Sequence, residues 1–206
     1  MSKFKLTYFD IHAGRGEPIR MAAALGGIDY EDDRISFEEF AIMRAVTPLN
    51  AVPTLEVDGI VYTQSIAMYR WVGKQAGLYP MDDWEAFKCD EILSAVDDAS
   101  IATGKTFGLE GEALKSAREA LVTGPFTRTL RLLGSRLRAS GGEYFADNRL
   151  TIADLKAFVW LRSVGSGILD HVPPDLIKNV SPELVAYAKN VASNPGVADY
   201  LSKLDR

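Results

Sequence analysis

Val52-Pro53 and Gln64-Ser65 are the places where residue type and spacing could do chemistry on a bound molecule. A proline after β-branched Val52 could turn the backbone N–H and C=O of Val52 outward, where an extended, peptide-like ligand would pair with them. Gln64-Ser65 precedes a helical pattern, so a hydroxyl and unpaired amides stand at a helix start, which suits a carboxylate. Together the two ends would hold a small acidic peptide. An ordinary trans proline before an edge strand and an ordinary serine cap explain the same residues, and from this stretch alone that is the plainer account.

Other reactive residue types exclude more than they suggest. The single cysteine, Cys89, rules out an internal disulfide framework or a CxxC pair, and its place in a helical pattern suits a small buried hydrophobe. His12 and His171 lack the spacing of a zinc site, so no metal is expected. Gly14-x-Gly16 follows a strand, but Ile19 stands where a dinucleotide fingerprint needs its third glycine. A net charge of -5 without concentrated basic runs argues against nucleic acid. No run is apolar enough to span a bilayer, and Met1-Ser2-Lys3-Phe4-Lys5 lacks a secretory core, so a cytoplasmic location is expected.

The elements that must position these residues follow from periodicity. Phe4, Leu6 and Tyr8 alternate with Lys3, Lys5 and Thr7, which predicts a strand over 3–9 with Tyr8 near its C-terminal end. Glu17-Pro18 opens a helix carrying Ile19, Ala22, Ala23 and Leu25, stopped by Gly26-Gly27. A second strand is expected over 29–35 and a short, irregular helix over 37–46, ended by Thr47-Pro48. Residues 54–63 flank Asp58-Gly59, a strong hairpin signal. Ile66, Tyr69, Arg70 and Gly73 share a helical face that ends at Gly77. The order is βαβαββα over 1–77, with a right-handed parallel crossover and an antiparallel pair, hence a mixed sheet.

Residues 78–83 look like a linker. Beyond them the pattern is helical: Trp84, Phe87, Ile92, Leu93 and Val96; Ala113, Leu114, Ala117 and Leu121, broken by Gly124-Pro125; Phe126, Leu130, Leu133 and Leu137, stopped by Gly141-Gly142. Residues 152–161 are apolar on nearly every side except at Asp154, Lys156 and the adjoining Arg162, which predicts a central helix, and Thr151 to Asp154 resembles a capping box. Shorter helices are expected over 174–178, 182–191 and 195–204, each introduced by proline. The fold class is thus α/β followed by an all-α bundle, with 84–206 as the helical domain.

Lys5-Leu6-Thr7-Tyr8-Phe9, Gly14-Arg15-Gly16-Glu17-Pro18-Ile19-Arg20, Val52-Pro53-Thr54-Leu55, Asp58-Gly59, Gln64-Ser65-Ile66-Ala67 and Leu150-Thr151-Ile152-Ala153-Asp154, in that order and spacing, resemble cytosolic glutathione transferases, most closely the sigma-like, tyrosine-type class. The resemblance implies a thioredoxin-like, glutathione-binding N-terminal domain and a helical domain that contributes the electrophile pocket. It gives Tyr8 the catalytic role of donating a hydrogen bond to the glutathione sulfur, which favours the thiolate over a thiol of pKa about 8.5. Arg15 adds positive charge nearby. Val52, before an expected cis Pro53, pairs with the cysteinyl part; Gln64 and Ser65 hold the γ-glutamyl carboxylate; Asp98, of Asp97-Asp98, reaches across a dimer interface towards the γ-glutamyl ammonium.

The glycine end departs from the family pattern. Relatives commonly place a tryptophan and two lysines there, or one lysine and a glutamine, and the corresponding residues here are Phe40, Arg44 and Ala51. Arg44 keeps a bidentate donor, whereas losing one charge-assisted hydrogen bond costs about 1.5–3 kcal/mol. Asp147 replaces a glycine that commonly precedes the capping region. The resemblance places the electrophile pocket among Phe9, Ile11, Ala13 and Arg15 on one side and Ser100, Thr103 and Gly104 on the other. The expected activity is conjugation of glutathione, as co-substrate, to small hydrophobic electrophiles in detoxification by a homodimer. The alternatives are a glutathione-dependent isomerase of prostaglandin-like endoperoxides and a non-catalytic binding or structural protein of the same fold.

Overall fold

Alternating apolar residues place β1 (Phe4–Phe9) inside a four-stranded sheet, where Phe4, Leu6 and Tyr8 are buried. The computed structural model describes residues 3–204. The sheet order is β2-β1-β3-β4, with β2 at Glu31–Ile35, β3 at Thr54–Val57 and β4 at Ile60–Tyr62. β1 runs parallel to β2, so that Tyr8 pairs with Arg34 and Phe9 with Ile35, and antiparallel to β3, where Thr7 faces Thr54. β3 and β4 form the hairpin, and Asp58 and Gly59 both take positive φ, 51° and 77°. This is the turn that an Asp-Gly pair favours.

Helix α1 (Glu17–Leu25), with Pro18 in its first turn, makes the crossover from β1 to β2. β2 starts later than the sequence suggests, because Asp29 and Tyr30 stay outside the ladder. Ser36 and Glu39 form a reciprocal capping box at the start of α2 (Phe37–Met43), and the expected helix tightens into a 3₁₀ turn over Arg44–Val46. α3 (Ser65–Gln75) completes the thioredoxin-like βαβαββα order.

The chain divides into two compact units, Met1–Tyr79 with Gly196–Arg206, and Pro80–Pro195. The second unit is helical. Asp82 caps α4 (Asp83–Gly104) by accepting from the N–H groups of Trp84 and Glu85. The break expected at Gly124-Pro125 does not occur. α5 (Gly111–Leu121) passes through a π-helical turn, Val122–Phe126, straight into α6 (Thr127–Ala139). Widening the turn accommodates the missing proline N–H, and the Thr127 hydroxyl donates to the Val122 carbonyl at 2.6 Å. α7 (Ile152–Gly165) is the buried central helix, longer than expected; α8 (Leu176–Val180) and α9 (Glu183–Ser193) pack on it. The last helix, α10 (Pro195–Leu204), lies mostly in the first unit.

Both charged residues of α7's buried stretch have partners. The Asp154 carboxylate accepts from the Thr151 N–H and hydroxyl, both at 2.8 Å, from the Phe145 N–H at 3.1 Å and from the Tyr187 hydroxyl at 3.0 Å. Lys156 Nζ stands 3.8 Å from Asp97 Oδ1. Among the described residues no helix is long and apolar enough to cross a membrane.

Burial nevertheless pushes the Asp154 carboxyl up to about 6, against its four donors. The folded chain therefore holds this proton more tightly than the unfolded one, so the group's contribution to stability is largest at low pH and is lost as pH rises through 6. Urea unfolding from pH 4 to 7 should show this fall in the wild type relative to Asp154→Asn, which has no carboxyl to titrate. Asp154→Ala should cost about 2–4 kcal/mol near pH 4, where it strands two buried N–H groups, and less towards pH 7.

Candidate active site

Tyr8 ends the buried part of β1 and is 7% exposed. Its ring packs with Ile35 and Val52, and the partly buried Phe9, Ile11, Phe40 and Met43 surround that cluster. The hydroxyl oxygen accepts the backbone N–H of Arg15 at 3.0 Å. An oxygen that already accepts a hydrogen bond holds its own hydrogen more loosely, so the phenol becomes a stronger donor to a third group.

The loop from β1 to α1 is shaped to make that contact. Gly14 takes φ +72°, and a Cβ there would lie 2.4 Å from the Tyr8 hydroxyl; at Gly16 it would lie 2.3 Å from Cδ1 of the same ring. Only glycine lets the backbone pass this close. The far side of Arg15 is held as well, for its carbonyl accepts from the Tyr69 hydroxyl of α3 at 2.9 Å. Arg15 itself is half-buried, and so is Ala13 of the same loop.

Beneath the loop lies Arg20, 1% exposed. Its Nε donates to both Asp32 oxygens, at 2.9 and 3.1 Å, its Nη1 to the Ile11 carbonyl at 3.0 Å and its Nη2 to the Phe9 carbonyl at 3.2 Å. The guanidinium carbon stands 5.9 Å from the centre of the Tyr8 ring. Asp32 also accepts from Arg34, which in turn holds Asp10 at 2.8 Å. That contact keeps the Asp10 carboxyl below its usual range. Sequence reasoning missed Arg20, Asp32 and Tyr69. The Gly14-Arg15-Gly16-Glu17-Pro18-Ile19-Arg20 run contained the signal, an arginine on the otherwise apolar face of α1.

Of the remaining predicted residues of the first unit, Val52 and Phe40 pack in the Tyr8 cluster. The Val52–Pro53 peptide is cis, and Val52 is 9% exposed. Gln64, at the N-terminus of α3, takes φ 73° and ψ 98°, a conformation that a non-glycine residue rarely adopts and that concentrates at ligand clamps. Among the described residues no side chain caps this helix, and Ser65 is buried in its first turn. Phe40 of α2 meets Phe9 edge-to-face at 5.4 Å, and Arg44 stands 5.9 Å over the Phe40 ring. Ala51 is exposed.

In the helical unit, the Asp97-Asp98 pair is split by its surroundings. Asp97 turns to Lys156, whereas Asp98 is exposed and borders a cavity of about 310 Å³ with Arg128, Thr129 and Ala102. Ser100 and Thr103 bend their hydroxyls back onto the Val96 and Ala99 carbonyls of α4, both at 2.8 Å. Gly104 ends the helix with open space at its Cα. Burial pushes the Cys89 thiol up to about 12, so it stays protonated at neutral pH. Asp147 takes φ 59° and pairs with Arg149, and its N–H donates to Glu85, so the helix entry tolerates the missing glycine. Among the described residues no group of three or more His, Cys, Asp or Glu could hold a metal.

Known proteins resemble this chain in sequence and fold. The family model for the glutathione S-transferase C-terminal domain matches residues 101–204. Glutathione S-transferase 1 of Ascaris suum is 32% identical over 98% of this chain and 97% of its own. Human hematopoietic prostaglandin D synthase is 30% identical, with 98% and 97% covered. The solved sigma class enzyme of Fasciola hepatica superposes with a TM-score of 0.82 at 26% identity, covering 98% of this chain and 96% of that one.

The close approach of Gly16 to the Tyr8 ring predicts that Gly16→Ala lowers the unfolding free energy by about 1–3 kcal/mol in urea titration. Gly104→Ala, with open space, should leave it unchanged or slightly raised.

Proposed function

The chain belongs to the glutathione transferase family, and we propose that it is a homodimeric, cytoplasmic transferase that uses Tyr8 to hold the glutathione sulfur as a thiolate. The observation that carries the reading is the buried Tyr8, whose hydroxyl oxygen accepts the Arg15 N–H at 3.0 Å, a contact that strengthens the phenol as a donor. The thiol proton leaves to solvent, the sulfur lone pair attacks an electrophilic carbon, and a C–S bond forms as the leaving group departs with its electron pair. Donation from Tyr8 lowers the thiol pKa towards neutrality, and the Arg15 charge acts in the same direction.

Glutathione is an extended acidic peptide, and three features of the first unit support its binding. Val52 beside cis Pro53 would pair with the cysteinyl backbone. The uncapped start of α3, with Ser65 and the strained Gln64, would take the γ-glutamyl carboxylate. Arg44, stacked on Phe40, would meet the glycine carboxylate. Asp98, which is exposed and has no ion pair among the described residues, whereas Asp97 answers Lys156, would reach a partner's γ-glutamyl ammonium. Phe9, Ile11 and Ala13 in the first unit, and in the helical unit Ser100, Thr103 and Gly104, would each offer an electrophile mainly apolar surface, since the two hydroxyls are turned into α4. Small hydrophobic electrophiles, as in detoxification, suit such walls.

A second reading, isomerisation of a prostaglandin-like endoperoxide by the same thiolate, is favoured by the 30% identity to a prostaglandin D synthase over nearly the whole chain. Product identity with an endoperoxide substrate separates the two.

Tyr8→Phe should reduce kcat for conjugation to a general aromatic halide by about 10- to 100-fold, while calorimetry shows glutathione affinity within about threefold of wild type. Equal turnover in variant and wild type removes the mechanism. Glutathione bound without turnover in the wild type would mark a non-catalytic protein.

A further inference from the structure

Tyr200, on α10, reaches the first turn of α1, just past the loop that holds Tyr8, from the other end of the sequence. Its hydroxyl donates to Glu17 Oε1 at 3.0 Å. Glu17 is fully buried in the first turn of α1, and among the described residues Tyr200 is its one hydrogen-bond donor of ordinary length. His12 Nδ1 stands 3.6 Å from the same oxygen, and Arg20 Nη1 stands 3.7 Å from Oε2, which accepts no hydrogen bond.

A buried carboxylate this near a guanidinium gains by closing onto it. Here the guanidinium is engaged elsewhere, with Nη1 on the Ile11 carbonyl and Nη2 on the Phe9 carbonyl. Those carbonyls flank Asp10, where β1 passes into the loop that presents the Arg15 N–H to Tyr8. Two attractions therefore compete for Arg20: the loop carbonyls and the Glu17 carboxylate.

We propose that Tyr200 is a positioning residue for Tyr8, holding Glu17 by its Oε1 so that Arg20 stays on the Ile11 and Phe9 carbonyls and the loop keeps the Arg15 N–H on the phenol oxygen. This rests on the reading of Tyr8 as donor to the glutathione sulfur. Burial, and then the Glu17 charge, raise the Tyr200 hydroxyl well above the ordinary tyrosine value, so it remains a donor throughout the working pH range. The charged and titratable groups around Glu17 are His12, Arg20, Tyr200 and, further off, Tyr30. Without the Tyr200 hydroxyl, Glu17 draws Nη1 off the Ile11 carbonyl, the loop relaxes, and Tyr8 stabilises the sulfur anion less.

The test titrates the ultraviolet absorbance of the bound glutathione thiolate against pH in wild type, Tyr200→Phe, Glu17→Gln and the double variant. Phenylalanine keeps the ring and its packing. The midpoint in Tyr200→Phe should rise by roughly half a unit or more. Its kcat at neutral pH should fall about three- to tenfold, with KM for glutathione within about twofold. A neutral glutamine at 17 has no charge with which to draw Arg20, so in the Glu17→Gln background Tyr200→Phe should shift the midpoint no further. Superimposed titrations of wild type and Tyr200→Phe overturn the proposal, even if the melting temperature falls. Equal shifts with and without Glu17→Gln overturn it too. No thiolate titration in the wild type removes the reading of Tyr8 itself, and the proposal with it.

Discussion

One hydrogen bond, from the Arg15 N–H to the Tyr8 hydroxyl oxygen, constrains most of what surrounds it. A phenol at a strand end can rotate and can turn its hydrogen to any acceptor. Anchoring the oxygen on a backbone amide holds the phenol in place and strengthens it as a donor. The amide can come so close only because Gly14 and Gly16 carry no Cβ against the ring. The loop can stay there only because both of its ends are tied, at the Arg15 carbonyl by Tyr69 and at the Phe9 and Ile11 carbonyls by Arg20.

Arg20 shows how a buried charge serves precision more than stability. Taking a guanidinium out of water costs several kcal/mol, and its partners roughly offset that cost. What the arrangement gains is geometry, since a planar donor with five N–H groups joins two backbone carbonyls and Asp32 in one rigid fork. The chain of charges extends through Arg34 to Asp10 on one side and to Glu17 and Tyr200 on the other. In this way β1, β2, α1 and α10 all bear on a single loop.

The order of elements was legible because each was written in a strong local signal: the alternation in β1, Pro18 in α1, Asp58-Gly59 in the hairpin. Where signals conflicted, the reading failed. Gly124-Pro125 reads as a break, yet a π-helical turn carries the chain through, because the flanking stripes of α5 and α6 continue to bury their apolar residues. The acidic run around Asp32 blurs the start of β2, since two of its charges are answered by residues distant in sequence, Arg20 and Thr7. Of the candidate site, Tyr8, Val52, Gln64 and Ser65 were visible through motif and resemblance. Tyr69 and Arg20 act through contacts that join separate elements, and no periodicity announces them. The contact of α10 with α1 is likewise silent, as nothing local to Tyr200 points to Glu17, 183 positions away.

The most direct measurement is a crystal structure of the chain with glutathione bound, at a resolution that fixes the tyrosine hydroxyl and the sulfur. The Tyr8 oxygen should lie within hydrogen-bonding distance of the sulfur while still accepting the Arg15 N–H, with the cysteinyl backbone paired to Val52. A sulfur bound out of reach of that oxygen, or held by another donor, would contradict the account.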